Sequence, residues 1–248
     1  MLEIALLPAA AFLAGALNAV AGGGSFLTLP ALVFAGVPPV AANATGTVAL
    51  LPGYIASAWA QREDTAAPPG LTLGRLMALS LIGGAGGAAL LLATPDATFR
   101  SIVPWLLLAA TALFACGPWL RQRWARGDAP SPIKATLGVL AVSAYGGYFN
   151  GGLGILLLAL FRLLGQSHLN AMNGLKNCVS ALLTSMAVLI YAAGGAVQWP
   201  YALAMALAAT VGGYVGGRVA RLLPAAVLRW CIVTTGLVMA GLFFAAQH

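Results

Sequence analysis

The stretch LNAVAGGGSFLTLP, Leu17 to Pro30, decides how this chain is to be read. An apolar run from Ile4 to Ala21 precedes it and is long enough to cross a hydrocarbon core of about 30 Å. That run stops at three consecutive glycines, Gly22, Gly23 and Gly24. Glycine costs roughly 1 kcal/mol per residue against alanine inside a helix, so three in a row end one. Ser25 follows, and a second apolar run starts at once. The pattern predicts a helix that ends and a short helix that begins within the apolar region.

Composition sets the medium. Of 248 residues, 61% are hydrophobic and only 7% are charged, against about 25% charged in soluble domains. So few charges cannot cover a water-facing surface, and the chain reads as an all-α polytopic membrane protein. The net charge of +7 comes from Lys and Arg in short connections between apolar runs. That is a topology signal and not a nucleic-acid patch. Cys116, Cys178 and Cys231 lie inside apolar runs without metal-ligand spacing and read as small packing residues. The first charge is Glu3, with no Lys or Arg before the first run, so that run is expected to be retained as a helix and not removed as a signal peptide.

About eight full transmembrane helices are expected, near 4–21, 40–60, 71–93, 102–120, 133–149, 170–193, 198–217 and 226–246. Two short broken helices, near 26–36 and 155–165, follow glycine clusters. Eleven residues rise only about 16 Å, half a crossing. Trp59, Trp119, Trp124, Trp199 and Trp230 fall near expected helix ends, where tryptophan anchors to the interface.

The chain also repeats itself. At an offset of 130 residues, Gly24 falls on Gly154, Asn43 on Asn173 and Thr47 on Asn177. At an offset of 129, Gly83, Gly84 and Gly87 fall on Gly212, Gly213 and Gly216, Pro95 on Pro224 and Arg100 on Arg229. The expected division is a first repeat over 1–120, a basic cytoplasmic linker over 121–134 and a second repeat over 135–248. Repeats with interrupted helices in corresponding positions mark secondary transporters, and the interruptions point to the binding site. The linker carries Arg121, Arg123, Arg126 and Lys134 against Asp128 alone, and the segment after the seventh span carries Arg218, Arg221 and Arg229. Both should face the cytoplasm. They do so together if the short pieces also cross, which makes the two homologous repeats inverted and puts both termini outside. Re-entrant short pieces would make the repeats parallel.

The candidate site follows from the breaks. The first N–H groups of a helix have no intrahelical partner, hydrocarbon offers none, and the helix N-terminus carries about half a positive charge. An anion is the natural partner. The first break supplies Gly22, Gly23, Gly24 and Ser25, and the second, NGGLG, supplies Asn150, Gly151 and Gly154. Close helix packing is the alternative use of such glycines, and it is the expected one for GGAGG at 83–87 and GGYVGG at 212–217. Asn43 and Thr47 are spaced i,i+4 and share a helix face, as do Asn173 and Asn177, with Lys176 beside them. Interhelical hydrogen bonding competes with a site role for the Asn and Thr residues. Lys176 is followed by about 17 mostly apolar residues in the same helix, and the full spans hold almost no carboxylates. An exchangeable anion is its expected partner, with snorkelling as the alternative. Arg162 reads as snorkelling. His168 and His248 stand without partners, and no metal, cofactor or enzymatic motif is found.

GALNAVAGGGSFLTLPAL with AANATGTVA, and GGYFNGGLGILLLAL with NAMNGLKNCVSAL, resemble the two repeats of the sulfite exporter TauE/SafE family, over nearly the whole chain. The resemblance implies a permease of the bacterial inner membrane for sulfite or an organosulfonate anion such as sulfoacetate. Its motif positions correspond here to Gly22, Gly23, Gly24, Asn43, Thr47, Gly151, Gly154, Asn173, Lys176 and Asn177. NGGLG departs from it in lacking three consecutive glycines. The expected function is a secondary transporter binding a small anion between the repeats near the bilayer midplane, with the lipid bilayer as its other partner and no nucleic acid. A passive anion channel and a non-transporting membrane assembly protein are the alternatives.

Overall fold

The computed structural model describes residues 2–21, 23–124, 131–219 and 225–245. Over these residues the chain is all-helical. The helices are α1 (Leu2–Ala21), α2 (Ser25–Phe34), α3 (Pro39–Ala60), α4 (Leu73–Ala93), α5 (Asp96–Trp124), α6 (Pro132–Tyr148), α7 (Leu153–Leu163), α8 (Leu169–Ala193), α9 (Trp199–Val219) and α10 (Ala225–Ala245). A single 3-10 turn, Arg62–Asp64, follows α3. The expected order of long and short helices is present. α5 runs through Trp124 and α6 starts at Pro132, so both reach into the expected linker, whose residues 125–130 lie outside the described residues. Pro132 and Pro39 open their helices at positions where a missing N–H costs nothing.

Two described segments pass length and hydropathy limits for a membrane crossing: Leu73–Ala93, with mean hydropathy 2.0, and Asn170–Ala193, with 1.5. Large apolar side chains stand exposed around the bundle, among them Leu90, Trp105, Leu137, Leu189 and Leu207. Such a surface suits lipid and not water.

Helix packing comes in matched pairs. α1 packs on α9 as α6 packs on α4; α3 packs on α9 as α8 packs on α4; α1 and α3 hold α2 as α6 and α8 hold α7. α3 meets α8 directly, and α5 meets α10. Exchanging α1–α5 with α6–α10 turns each of these contacts into another on the same roll. The fourth helix of each half leaves its own half: α4 joins α6 and α8, while α9 joins α1 and α3. The sequence halves are therefore interlocked.

Glycine makes the exchange possible. A Cβ at Gly87 would run into the Ala144 backbone, one at Gly147 into the Gly84 backbone, and one at Gly212 into the Phe12 backbone. Small residues let membrane helices approach to backbone contact. The packing role expected for the GGAGG cluster and for Gly212 is thus seen directly.

The direction of each helix follows from contacts at its ends. Arg75 Nη2 donates to Thr136 Oγ1 at 3.1 Å, so α4 and α6 start together. Gly174, early in α8, packs on the Gln61 carbonyl beyond the end of α3, so these two run antiparallel. Trp105 and Phe244 stack edge to face, and Thr111 lies on Gly236, so α5 and α10 are also antiparallel. The N–H of Gln198, just before α9, donates to Thr45 Oγ1 at 3.0 Å near the start of α3. One end of the bundle thus gathers the connections 61–72 and 163–169 with the start of α6, and the other gathers 35–39, 94–96 and 194–199.

Candidate functional site

Both short helices begin at half depth. Gly24, the residue before α2, packs on Leu50 at the middle of α3 and on Ala14 of α1. Leu153, the first residue of α7, packs on Gly146, which also touches Leu183 at the middle of α8. The two starts lie close together. A Cβ added at Gly152, which precedes α7, would stand 3.9 Å from the Phe26 ring in the first turn of α2, and 3.0 Å from Ala110 of α5.

Local chemistry sets the α7 start. Asn150 and Gly152 have φ of 62° and 72°, a left-handed conformation open to asparagine and glycine. This geometry lets Leu153 N–H donate to the Asn150 carbonyl at 3.3 Å, and Ile155 and Leu156 N–H to the Gly152 carbonyl. The N–H groups of Gly151, Gly152 and Gly154 find no partner among the described residues. The Gly151 carbonyl accepts from the Tyr145 hydroxyl at 2.6 Å, which fixes the turn. At α2, Phe26 N–H donates to the Gly23 carbonyl, and Leu27 and Thr28 N–H to the Gly24 carbonyl. Gly22 lies outside the described residues. Ser25 is buried in the first turn and makes no side-chain cap.

A short polar chain crosses this centre. The Tyr54 hydroxyl lies 3.4 Å from Asn150 Oδ1, to which it donates, and the Asn18 side chain is its other polar neighbour. The chain links α1, α3 and the break before α7. It leaves Asn18 Oδ1 and Asn150 Nδ2 buried without partners. Asn150 is 1% exposed. Buried polar groups are nearly always paired, so an orphan beside two helix starts marks a candidate ligand position. Asn18 and Tyr54 are residues of the candidate site that motif reading passed over. The signal for Asn18 was in the opening stretch, an amide four residues before the triple glycine. Tyr54 carries no such mark in an apolar run.

The side chains of the two Asn motifs do not converge. Asn43 Nδ2 donates to the Tyr148 carbonyl at 3.0 Å, where α6 ends. Thr47 Oγ1 donates back to the Asn43 carbonyl at 2.8 Å, the local bond expected of a helical threonine. Asn43 Oδ1 stays unpartnered. Asn173, Lys176 and Asn177 sit in the opposite half, because Gly174 beside them packs on Gln61, eighteen residues or roughly 27 Å along α3 from Asn43. Antiparallel pairing of α3 with α8 separates what the repeat alignment overlays.

Lys176 is buried, at 8% exposed. It has no hydrogen-bond or ion-pair partner among the described residues, whose single salt bridge joins Arg62 to Glu63 at the surface. Its counterpart in the first half is Gly46, where a Cβ would meet Thr28 Oγ1 at 2.7 Å. In the first half, Thr28 stands beside the position that corresponds to this cation. Among the described residues, no cluster of His, Cys, Asp or Glu could hold a metal ion.

The sulfite exporter TauE/SafE family model matches residues 7–243. Curated relatives include the "probable membrane transporter protein ORF9" of Sinorhizobium sp, 28% identical over 96% of this chain and 90% of its own length. A "probable membrane transporter protein" of Haemophilus influenzae is 27% identical over 87% of this chain and 84% of its own length. "Probable membrane transporter protein YfcA" of Escherichia coli is 27% identical over 96% and 88%. No solved structure matches the chain.

Proposed function

This chain belongs to the sulfite exporter TauE/SafE family, and from that premise we propose that it is a secondary transporter of the bacterial inner membrane for a small anion, sulfite or an organosulfonate such as sulfoacetate. That it is a membrane transporter and not an enzyme rests on the family and its relatives. The observation that carries the anion reading is the meeting of two short helix starts at half depth, with free N–H groups at Gly151, Gly152 and Gly154. Helix N-termini buried together favour negative charge.

In this reading the anion sits at the α2 and α7 starts, with Gly23, Gly24, Ser25, Asn150, Gly151 and Gly154 around it. Asn43 and Thr47 line the approach from one side, and Asn173, Lys176 and Asn177 the approach from the other. The repeats are inverted, with eight long helices and two short ones, α7 returning to the end from which α6 starts. The antiparallel pairs α3–α8 and α5–α10 support this. So does charge: Arg62, Arg75, Arg121, Arg123, Lys134, Arg162 and Arg218 belong by helix position to one end, and Arg100 to the other. The positive-inside rule makes the first end cytoplasmic, and Lys176 then faces anions arriving from the cytoplasm. The units that rock are α1–α2–α3–α9 and α6–α7–α8–α4, not the sequence halves.

The test is flux of sulfite and sulfoacetate into liposomes holding purified protein, wild type beside Lys176→Ala. Saturable flux accelerated by anion on the far side supports a transporter. Flux that grows without saturation makes the protein a channel, and no flux of either anion removes the substrate assignment.

A further inference from the structure

The half-depth site has a charge balance that selects among anions. Its donors are the N–H groups of Gly151, Gly152 and Gly154 and the Asn150 Nδ2 amide, all buried and without partners among the described residues. Tyr54 donates to Asn150 Oδ1, which turns the Nδ2 end away from Tyr54 and leaves both its hydrogens free. Full charges stand elsewhere. Lys176 is two residues past Gly174, which packs on Gln61, and Tyr54 lies seven residues back along α3. The Lys176 backbone is thus roughly 8 Å from the Tyr54 level along the bundle. Side chains lean toward the start of their helix, so its ammonium lies farther still toward the cytoplasmic end.

The site is therefore built from dipoles. Each helix N-terminus carries about half a positive charge, and two together offset about one negative charge. A second negative charge would enter a low-dielectric centre with no counter-charge, at a cost of several kcal/mol. Resting on the anion reading of this site, we propose that it takes monoanions: hydrogen sulfite or a singly charged sulfonate, before sulfate, sulfite dianion or doubly charged sulfoacetate. Three oxygens on one sulfur match several donors converging from one turn. Asn18 Oδ1, the unpartnered acceptor at the other end of the chain, can accept a hydrogen bond from the hydroxyl of hydrogen sulfite.

Calorimetric binding to the purified protein in detergent tests this with methanesulfonate, sulfate and sulfite, the last on the acidic and alkaline sides of its second ionisation. Expected are saturable binding of methanesulfonate, sulfite binding that follows the hydrogen sulfite fraction, and sulfate at least ~10-fold weaker. Sulfate binding as tightly as methanesulfonate, or sulfite binding that strengthens on the alkaline side, overturns the inference and leaves the anion site standing. No binding of any of the three overturns both. Asn150→Gly keeps the left-handed backbone and deletes the amide. It should weaken methanesulfonate binding ~10-fold or more, as expected for a bond to a charged group. Unchanged affinity would remove Asn150 from the site. Methanesulfonate binding by Asn150→Asp equal to wild type would also count against it, since a carboxylate there repels the ligand.

Discussion

The Tyr54 hydroxyl on α3 lies 3.4 Å from Asn150 Oδ1 at the break before α7, so one long helix of the first half orients the broken turn of the second. Both residues are buried, and the contact spans ninety-six positions of sequence. Tyr54 touches no proposed ligand directly. Its role in the proposed site is to turn the Asn150 amide, and Tyr54→Phe should leave the fold intact. The expected result is an anion affinity lowered ~5-fold, a maximal flux changed far less, and stability lowered by about 1 kcal/mol, the size of one neutral hydrogen bond. Initial flux rates across a concentration series, beside thermal unfolding in detergent, separate these. Equal affinity in the variant would make the tyrosine merely structural.

Lys176 stands in one half only, its counterpart being Gly46 beneath Thr28. A cation in one vestibule should raise the local anion concentration on that side, and the effect should fade with salt. Lys176→Ala should therefore slow flux from the cytoplasmic face by ~10-fold at low ionic strength and flatten its salt dependence. Flux from the other face should fall less. Vesicles of known orientation, assayed across a salt series, give both numbers. Equal loss from both faces would place the lysine at the central site.

Gly86 and Gly87 are neighbours with opposite surroundings. A Cβ at Gly86 meets nothing within 4 Å, whereas one at Gly87 collides with the Ala144 backbone. Gly86→Ala should be neutral or stabilising by about 0.5–1 kcal/mol, since it removes helix-interior glycine. Gly87→Ala should destabilise by roughly 1–3 kcal/mol, because backbone cannot yield as a side chain can. Thermal unfolding of both variants in one detergent settles the order, and a destabilised Gly86→Ala would contradict this packing.

Much of this was legible in the sequence, because glycine and proline punctuate membrane helices strongly. The breaks at Gly22–Gly24 and Asn150–Gly154, the short helices after them and the long helices around them all follow from local chemistry. Partnership did not follow. Overlaying Asn43 on Asn173 suggests a shared pocket, yet antiparallel α3 and α8 carry them to opposite halves. The move of α4 to α6 and of α9 to α1 is a choice between similar apolar faces, and only its glycine imprint, at Gly83, Gly87 and Gly212, is visible in one dimension. Asn18 and Tyr54 meet Asn150 only in three dimensions.

Ala66, after α3, and Thr98, in the first turn of α5, are both exposed and lie at opposite ends of the bundle. With the native cysteines replaced, a membrane-impermeant thiol reagent applied to intact cells should label Thr98→Cys and spare Ala66→Cys. Lysed cells should label both. The reverse pattern would invert the topology and turn Lys176 toward the outside, taking the sidedness of its effect with it.

The interlocked helices make a mechanical prediction at Thr65 and Gly174. A Cβ on Gly174 would stand 3.1 Å from Thr65 Oγ1, at the proposed cytoplasmic end, where α3 of one proposed rocking unit meets the start of α8 in the other. Opening toward the cytoplasm must separate them. In a chain without its native cysteines, Thr65→Cys with Gly174→Cys should form a disulfide, since the side chains already meet within bridging range. The oxidised protein should lose ~10-fold or more of its flux and regain it with reductant, while each single variant stays active and insensitive to oxidation. Full flux in a quantitatively cross-linked sample would mean that this contact does not open during transport, and that the moving units divide the bundle elsewhere.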